Sequence, residues 1–253
     1  NIENIDGYVV PKNDEFFSEF SKIDRLKIIS NFSGSAGCAV ILKKKNYLFV
    51  DGRYTIQAQI ESGKNFIITD YNKIVNCNIF KNLTLGINPK LFTSNQIKKF
   101  FLKNNKIKLI KTDLIKQNFE KKLNHLRPFF SLDKHIVGEG HKKKISKIIN
   151  FLKKHKSNFI FITAPENVAW LLNIRGHDNP NSPIPNCHLL LDFKKNLYLI
   201  ANKEKAKNLI KEKKIKLSQI VDPNNFQLLI KRLNGNKIII DSKTCSLFYE
   251  NIL

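Results

Sequence analysis

The sequence predicts an α/β protein with mixed sheets, and three observations support this class. Short apolar runs of strand length alternate with amphipathic segments of helix length along the chain. Two pairs of these runs are joined by turns, Lys43–Asn46 and Lys194–Asn196, that are too short for a crossover helix, so the paired strands must be antiparallel. The order of strands and helices in the first half then recurs in the second half.

The elements of the first half are predicted from apolar runs and from helix-capping residues. Asp24 caps a helix that ends at Ile29, and Ser94 caps a helix that ends at Leu102. Two further helices are predicted at Arg53–Glu61 and Asp113–Leu123. The predicted strands are Gly7–Pro11, Ala36–Leu42, Tyr47–Asp51, Asn65–Asp70, Leu83–Ile87 and Ile107–Lys111.

The second half begins after a segment, Arg127–Gly140, that mixes Pro, Gly and His and is predicted to link two domains, 1–126 and 127–253. A helix at Lys142–His155 has one apolar face, and Pro165 takes the favoured first position of a helix that ends at Leu172. A further helix is predicted at Asn224–Leu233. The predicted strands are Asn158–Thr163, Cys187–Phe193, Leu197–Ala201, Gln219–Asp222 and Lys237–Asp241.

The two halves align as copies of one domain. The offset between matched residues is 154 for Pro11/Pro165, 142 for Asn31/Asn173, 150 for Val50/Ile200 and 152 for Asp70/Asp222. These changes place roughly 12 extra residues near Lys12–Ile23 and roughly 8 near His177–Asn186. Chance alignment is the alternative, because this element order is common in α/β proteins. Extra loops on a rigid scaffold often carry binding residues.

Composition narrows the class of partner and the compartment. The 253 residues carry a formal charge of +23, yet only five of the 44 basic residues are Arg, which phosphate recognition favours, and the Lys are spread along the chain. Compositional drift therefore explains the charge better than a nucleic-acid footprint. No apolar run approaches the roughly 20 residues of a membrane span, and Asn1–Asp6 resembles no signal peptide. The four widely spaced cysteines favour reduced thiols and a cytoplasmic protein.

The first insertion contains acidic residues among Phe side chains. Glu19 is either solvated on a short amphipathic helix or binds a cation such as Arg53, one of the few arginines in this Lys-rich chain. Asp51, at the end of the predicted strand Tyr47–Asp51, is a candidate N-cap for the helix that follows. The Gly-rich segment Asn31–Gly37 follows a helix and enters a strand, so it does not fit a phosphate-binding loop, which follows a strand and opens a helix.

The second insertion follows a polar cluster, Arg175, His177 and Asp178, and contains three prolines that stiffen the loop. Such a loop suits a substrate or interdomain surface as well as it suits a plain connector. The six histidines form no cluster with acidic residues at ligand spacing, and no nucleophile elbow stands out. The residues taken alone therefore predict a two-copy α/β scaffold with two polar loops and no catalytic centre.

Two sets of motifs resemble Xaa-Pro aminopeptidases (aminopeptidase P). The first set resembles the first N-terminal domain of that family. It consists of Gly7–Pro11 with Asp14 and Glu19, then Asn31–Gly37, and then the segment from Phe49 to Tyr54, which contains D-G-R-Y. Phe151–Asp192, centred on W-L-L-N-I-R-G at Trp170–Gly176, resembles the second N-terminal domain of its three-domain form. The two motifs in this order and at this spacing are specific.

The resemblance implies two creatinase-like α/β domains in front of a pita-bread catalytic domain. Members remove an N-terminal residue when proline is second, using two divalent metals, usually manganese, that activate a bridging water. The ligand set of that domain cannot be assigned to this chain, so we expect no metal here and no activity from this chain alone. The implied partners are a peptide with proline second, the protein's own catalytic domain and a second copy in a homodimer, with no membrane and no nucleic acid.

The resemblance also marks site residues. Glu19, Arg53, Arg175 and Asp178 match family positions, and His177 lies beside them in sequence. We expect a Glu19–Arg53 ion pair that shapes the contact surface of the first domain, and we expect Arg175, His177 and Asp178 to line the substrate entrance or an interdomain surface. The rival classes are a free-standing binding module of the same fold and a basic nucleic-acid-binding protein.

Overall fold

The computed structural model describes residues 4–21, 23–74, 80–101, 104–115 and 126–253. Unit 1 comprises the described part of residues 1–123 together with 246–248, and unit 2 comprises the described part of 124–245 together with 249–253. The predicted α/β class is confirmed, because each unit contains a mixed sheet flanked by helices. Within the described ranges, no helix has both the length and the apolar character needed to cross a membrane.

Unit 1 contains a six-stranded sheet in the order β4-β3-β2-β1-β5-β6. Strand β2 is antiparallel to both β1 and β3, while β4 is parallel to β3 and β5 is parallel to both β1 and β6. The strands are β1 (Gly7–Pro11), β2 (Gly37–Leu42), β3 (Asn46–Val50), β4 (Ile67–Asp70), β5 (Thr84–Ile87) and β6 (Lys106–Leu109). The helices are α1 (Arg25–Ser30), α2 (Thr55–Ser62) and α3 (Ser94–Phe100).

The alternation of side chains along these strands builds a core on each face of the sheet. Val9, Val40 and Phe49 pack on one face, and Val10 and Leu48 pack on the other. All five side chains are buried. The fully buried central strands explain why they appear in the sequence as continuous apolar runs rather than as alternating ones.

Helix starts in unit 1 follow the expected capping chemistry with one correction. Asp24 caps α1 as predicted, because its side chain accepts the Lys27 N–H. Helix α3 is capped by Thr93 rather than by Ser94: the Thr93 side chain accepts the Gln96 N–H and the Gln96 side chain returns to Thr93, which is a capping box. In the predicted helix at Asp113–Leu123, Asp113–Ile115 is not helical and residues 116–123 lie outside the described residues.

Unit 2 contains a five-stranded sheet in the order β12-β11-β10-β8-β13 and a separate pair, β7-β9. Its strands are β7 (Phe130–Ser131), β8 (Phe159–Ile162), β9 (Ile174–Arg175), β10 (His188–Asp192), β11 (Leu197–Ile200), β12 (Ile220–Val221) and β13 (Ile238–Ile240). Its helices are α4 (His141–Lys154), α5 (Pro165–Leu172), α6 (Lys203–Lys211) and α7 (Phe226–Arg232). A short helix α8 (Leu247–Glu250) follows.

The predicted linker Arg127–Gly140 is wrong in part, because it contributes to the fold of unit 2. Phe130 and Ser131 pair with Arg175 and Ile174 as an antiparallel ladder. Phe129 is fully buried in the core formed by α5, β10 and α6. Burial of a Phe side chain stabilises a fold by about 1.5–3 kcal/mol, so this segment belongs to the second unit.

The duplication is confirmed by topology. Strands β1, β2, β3, β4 and β5 correspond to β8, β10, β11, β12 and β13 in sheet order and in the direction of every pairing. Asn31 and Asn173 both end the helix that follows the first strand, and both adopt the left-handed conformation. Asp70 and Asp222 each accept the N–H two residues later at the end of the fourth strand.

Two of the matched pairs are wrong in register. Pro11 ends β1 whereas Pro165 begins α5, and the sheet pairings make Thr163, two residues earlier, the counterpart of Pro11. The pair Val50/Ile200 is shifted by one residue. Phe49 pairs with Thr69 beside Asp70, and Ile200 pairs with Val221 beside Asp222. Ile200 therefore corresponds to Phe49 rather than to Val50. Because adjacent side chains on a strand point to opposite faces, a shift of one residue would have exchanged the two cores.

Candidate functional site

Arg53 lies at the end of β3 in unit 1, where a 3₁₀ turn at Gly52–Tyr54 leads into α2. Its side chain donates to the Asp51 carboxylate, with Nε 2.9 Å from Oδ1 and Nη2 3.4 Å from Oδ2. Asp51 Oδ1 also accepts the Arg53 N–H at 3.0 Å and so caps the turn as predicted. The hydrogen bond from the Arg53 side chain, and after it the one from the Arg53 N–H, hold the pKa of Asp51 below its ordinary value.

The expected Glu19–Arg53 ion pair is not formed among the described residues. Arg53 takes Asp51 as its partner, because a carboxylate two residues away reaches the guanidinium without ordering a second chain segment. Glu19 is exposed in a turn rather than on a helix. Its charge acts on Arg53 only at longer range, as the smallest of the influences that raise the pKa of Arg53. Both side chains remain accessible to a partner.

The first insertion is fastened by buried charges that lie around it. Arg25 contacts Glu15 at 3.1 Å and Asp113 at 2.7 Å, and only 4% of its side chain is exposed. Lys12 forms an ion pair with Asp24. Burial alone would lower the pKa of Arg25, but the two carboxylates raise it above its ordinary value. The ion pairs hold both ends of the segment 12–24 against the domain.

Asp14 organises the turn inside this segment. Its Oδ1 accepts the N–H groups of Phe16 and Ser18, each at 2.9 Å. The residue is buried, and burial raises the pKa of Asp14 to about 6 despite these hydrogen bonds. Asp14 therefore serves the shape of the insertion.

Asp178 fastens the proline-rich loop of unit 2. Its Oδ1 accepts from Lys205 Nζ at 2.5 Å, and its Oδ2 accepts the Asn186 N–H at 2.7 Å. Only 10% of the Asp178 side chain and 16% of the Lys205 side chain are exposed. The structure thus joins both ends of the loop to α6 through one carboxylate, a contact that sequence spacing of 27 residues did not indicate.

The side chains of Arg175 and His177 differ in their exposure to solvent. Arg175 is half-buried in β9 and its Nη1 donates to the Ile174 carbonyl at 2.8 Å. His177 is exposed, and its ring stacks on Phe130 with centroids 5.1 Å apart. The three predicted residues of this region are therefore neighbours along the backbone but make separate contacts.

A buried lysine in unit 2 forms a cluster that the sequence analysis missed. Lys144 on α4 lies over the Trp170 ring at 4.2 Å and donates to the Trp170 carbonyl at 2.7 Å and to Asn173 Oδ1 at 2.6 Å. Asn173 Nδ2 in turn donates to the Glu139 carbonyl at 2.9 Å. The cluster fixes Asn173, the left-handed residue that ends α5. Lys144 had looked like part of a solvated helix face.

Comparison with known proteins places the chain in a family. The family model described as Creatinase/Prolidase N-terminal domain matches residues 120–253. A probable Xaa-Pro aminopeptidase P of Coprinopsis cinerea is 31% identical over 198 residues, which cover 72% of this chain and 32% of that protein. The chain belongs to the creatinase/prolidase N-terminal domain family. Xaa-Pro aminopeptidase 1 of Dictyostelium discoideum is 28% identical over 218 residues and is covered to 34%.

Members of this creatinase/prolidase family also share the fold. The crystal structure of X-prolyl aminopeptidase from Caenorhabditis elegans matches 93% of this chain and 42% of its own length with a TM-score of 0.79 at 22% identity. That protein is described as a cytosolic enzyme with a di-nuclear active site. The present chain spans about a third of the length of its curated relatives.

The side chains that the structure describes in this creatinase/prolidase chain do not fit a di-nuclear centre. Within the residues that the structure describes, no group of three or more His, Cys, Asp or Glu side chains is placed to hold a metal ion. The carboxylates of Asp14 and Asp178 are committed to backbone amides and to Lys205. No chemical step through a metal is therefore assigned to these residues.

Proposed function

We propose that the complete protein is a metal-dependent aminopeptidase that releases the N-terminal residue from peptides with proline second, and that this chain is its non-catalytic N-terminal part. The observation that carries the proposal is the 31% identity to an Xaa-Pro aminopeptidase P across both units' sequence, with the chain spanning 32% of that relative. Two divalent metals, manganese in this proposal, would belong to a separate catalytic domain. A cytoplasmic location and a homodimer complete the proposal.

The geometry supports a role in access rather than in chemistry. Arg53, Glu19 and His177 are exposed and lie at turns or loop ends, where a rigid sheet can present them to another surface. Asp178 and Arg175 are positioning residues in this proposal, because their contacts are internal to unit 2. In the complete protein, the exposed residues of each unit would narrow the entrance to the catalytic domain and contribute to subunit contacts.

The proposal is tested by assaying the complete protein on a short Xaa-Pro peptide with added manganese. We expect release of the first residue, and a matched peptide with alanine second should be a poor substrate. Absence of turnover with manganese and with the other common divalent metals would overturn the proposal. Salt-dependent binding of the complete protein to DNA, persisting near physiological ionic strength, would instead favour the nucleic-acid alternative.

The access role is tested by Arg53→Ala and His177→Ala in the complete protein. We expect kcat/KM to fall without a change in unfolding temperature, because both side chains are exposed and make few contacts with the core. Lys64→Ala, another exposed cation in unit 1, is the matched control and should leave turnover unchanged. Turnover of Arg53→Ala and His177→Ala equal to that of Lys64→Ala would remove both residues from the entrance.

A further inference from the structure

Unit 2 contains a cavity whose walls are rich in lysine. The cavity has a volume of about 570 Å³, which is within the range of small-molecule sites, and it is lined by residues of the segment 131–142, by the residues that follow α6 and by Asn173. Four of its eleven described lining residues are lysine, whereas lysine accounts for 39 of the 253 residues of the chain. The high lysine content of the chain therefore does not by itself explain this cluster.

The positive charges approach the cavity from two sides. Lys134 and Lys142 lie in the segment that leads into α4 and in the first turn of that helix, and Lys213 and Lys214 follow the end of α6. His141, the first residue of α4, lies between these groups in the cavity lining. His141 and Lys214 are half-buried, while the other three side chains are exposed.

The carboxylates near this cavity do not neutralise the lysines. Glu212 is the one carboxylate among the described residues that line the cavity, and its Oε2 accepts a hydrogen bond from Ser131 Oγ. Glu139 precedes α4 and pairs with Lys147 at 2.9 Å and with Lys143 at 3.6 Å, and these two lysines do not line the cavity. Four ammonium groups are therefore set against one carboxylate.

The half-buried groups of the cluster are poorly compensated when they carry a charge. Burial lowers the pKa of Lys214, and the charge of Glu212 acts in the opposite direction. Lys214 Nζ donates to the Asn173 carbonyl at a long distance of 3.4 Å. Burial also lowers the pKa of His141, and the positive charges of Lys214 and Lys142 lower it further. A negatively charged ligand would relieve this repulsion.

Backbone groups add hydrogen-bond donors to the same cavity. Gly140 precedes α4 and has no side chain to cap it, and apart from its chain neighbours no atom of the described residues lies within 4 Å of the position that a Cβ would take there. The first N–H groups of a helix have no acceptor within the helix, so those of His141 and Lys142 can donate to an anion. The last carbonyls of α6 accept N–H groups of the residues that follow, so this helix end presents lysines rather than bare carbonyls.

We propose that this cavity binds a small organic phosphate, with its phosphate groups among the lysines and its apolar part on Leu132 and Val137. Lysine ammonium groups act as point charges around a compact oxyanion, whereas a planar carboxylate is bound best by arginine, which does not occur among the described lining residues. The cavity is larger than a phosphate ion, and Leu132 and Val137 give it an apolar wall. A nucleoside di- or triphosphate has the size and the several negative charges that match it.

A small ligand fits these lysines better than a nucleic-acid strand does. Proteins that bind single-stranded nucleic acid use an extended positive groove together with aromatic side chains on which the bases stack. Here the lysines surround one concave space, and its described lining contains no Phe, Tyr or Trp. The site lies wholly within unit 2 and does not depend on the proposed peptidase activity.

Calorimetric titration of the 253-residue chain with ATP, ADP and inorganic pyrophosphate tests the proposal, at an ionic strength of about 0.1 M, which screens distant charges. We expect one ATP to bind per chain, and more tightly than pyrophosphate, because only ATP has a part that contacts Leu132 and Val137. Lys214→Met should weaken ATP binding about tenfold through the loss of a charged donor. Lys207→Met, an exposed lysine of α6 outside the cavity, is the matched control and should change it less than about twofold.

Three calorimetric results would overturn the proposal. The first is the absence of saturable binding by ATP and ADP. The second is an equal loss of ATP affinity in Lys214→Met and Lys207→Met, which would show attraction to the overall charge of +23 rather than to this cavity. The third is tighter binding of pyrophosphate than of ATP, which would assign the lysines to a free oligophosphate.

Lys213→Gly separates ligand binding from folding. Lys213 has a φ of 55°, in the left-handed region that glycine adopts without strain. The change should therefore raise the unfolding temperature and yet weaken ATP binding, because the cavity loses one of its cations. Raised stability with unchanged ATP affinity would contradict the proposed site.

NMR of the histidine side chains locates the ligand. His141 lines the cavity at the start of α4, and His155 follows the end of this 14-residue helix, roughly 21 Å away. Saturating ATP should shift the imidazole signals of His141 toward those of the protonated ring and leave those of His155 unchanged. Equal shifts at both histidines would overturn the site. Displacement of ATP by a single-stranded oligonucleotide of higher affinity would overturn it in favour of a nucleic-acid surface.

Discussion

Asp178 offers a direct test of whether a predicted site residue stabilises the fold of unit 2 or only lines its surface. We predict that Asp178→Ala destabilises the protein, because its carboxylate neutralises the nearly buried Lys205 and accepts the Asn186 N–H. A residue that only lined an exposed surface would leave stability unchanged. The variant thus separates a fastening role from a purely surface role.

The magnitude follows from the burial of the pair. Removing one partner of a buried ion pair costs about 3–5 kcal/mol, because the remaining charge is left desolvated. The 16% exposure of Lys205 lets its ammonium regain some water, so we expect the lower end, about 3 kcal/mol. For a unit of this size, 1 kcal/mol shifts Tm by roughly 4 °C, which gives a decrease of about 12 °C.

The assay is thermal and urea unfolding of the 253-residue chain. Trp170, which is the single tryptophan, lies on α5 and reports unit 2 by fluorescence. Lys207→Met, an exposed lysine on the same helix as Lys205, is the matched control and should change stability by less than about 0.5 kcal/mol. The double variant Asp178→Ala/Lys205→Met should lose less than the sum of the two single changes. A Tm for Asp178→Ala equal to that of Lys207→Met would show that the Asp178 carboxylate does not stabilise unit 2.

Two further predictions concern buried polar groups. Burial raises the pKa of Asp14 from 3.8 to about 6, so the contribution of this carboxyl to stability is lost as pH rises from about 4 to 6. Asp14→Asn keeps an acceptor for the two turn amides, so between pH 4 and pH 7 its free energy of unfolding should rise by about 2–3 kcal/mol relative to that of the wild type. Urea unfolding measures this, and a pH-independent difference would contradict it. Asn173→Ala should lower the free energy of unfolding by about 2–3 kcal/mol, and Asn31→Ala should lower it by about 1 kcal/mol. Both variants lose a favourable left-handed residue, but only Asn173 also forms hydrogen bonds with Lys144 and Glu139. Equal losses would show that this cluster contributes nothing to stability.

The regular parts of the fold follow from local patterns. Most strands were predicted to within two residues, because long apolar runs bounded by turn residues determine them. Asn31 and Asn173 aligned correctly, since each marks a helix end that needs a left-handed residue. The strand pair of Phe130–Ser131 with Ile174–Arg175 was missed, because two-residue strands have no periodicity to detect.

The contacts of the candidate site were harder to predict. Arg25 meets Asp113 across 88 residues of sequence, and Asp178 meets Lys205 across 27, so only the fold brings them together. The predicted Glu19–Arg53 ion pair is not formed, because the exposed guanidinium of Arg53 pairs with a carboxylate close to it in sequence, that of Asp51. Sequence identified which segments carry polar residues, while partner choice depended on tertiary structure.

We propose that this chain is the non-catalytic N-terminal part of a peptidase. Parallel assays of the complete protein and of the 253-residue chain, on one Xaa-Pro peptide with manganese, test it most directly. We expect release of the first residue by the complete protein and none by the chain alone. Metal-dependent turnover by the 253-residue chain would contradict it.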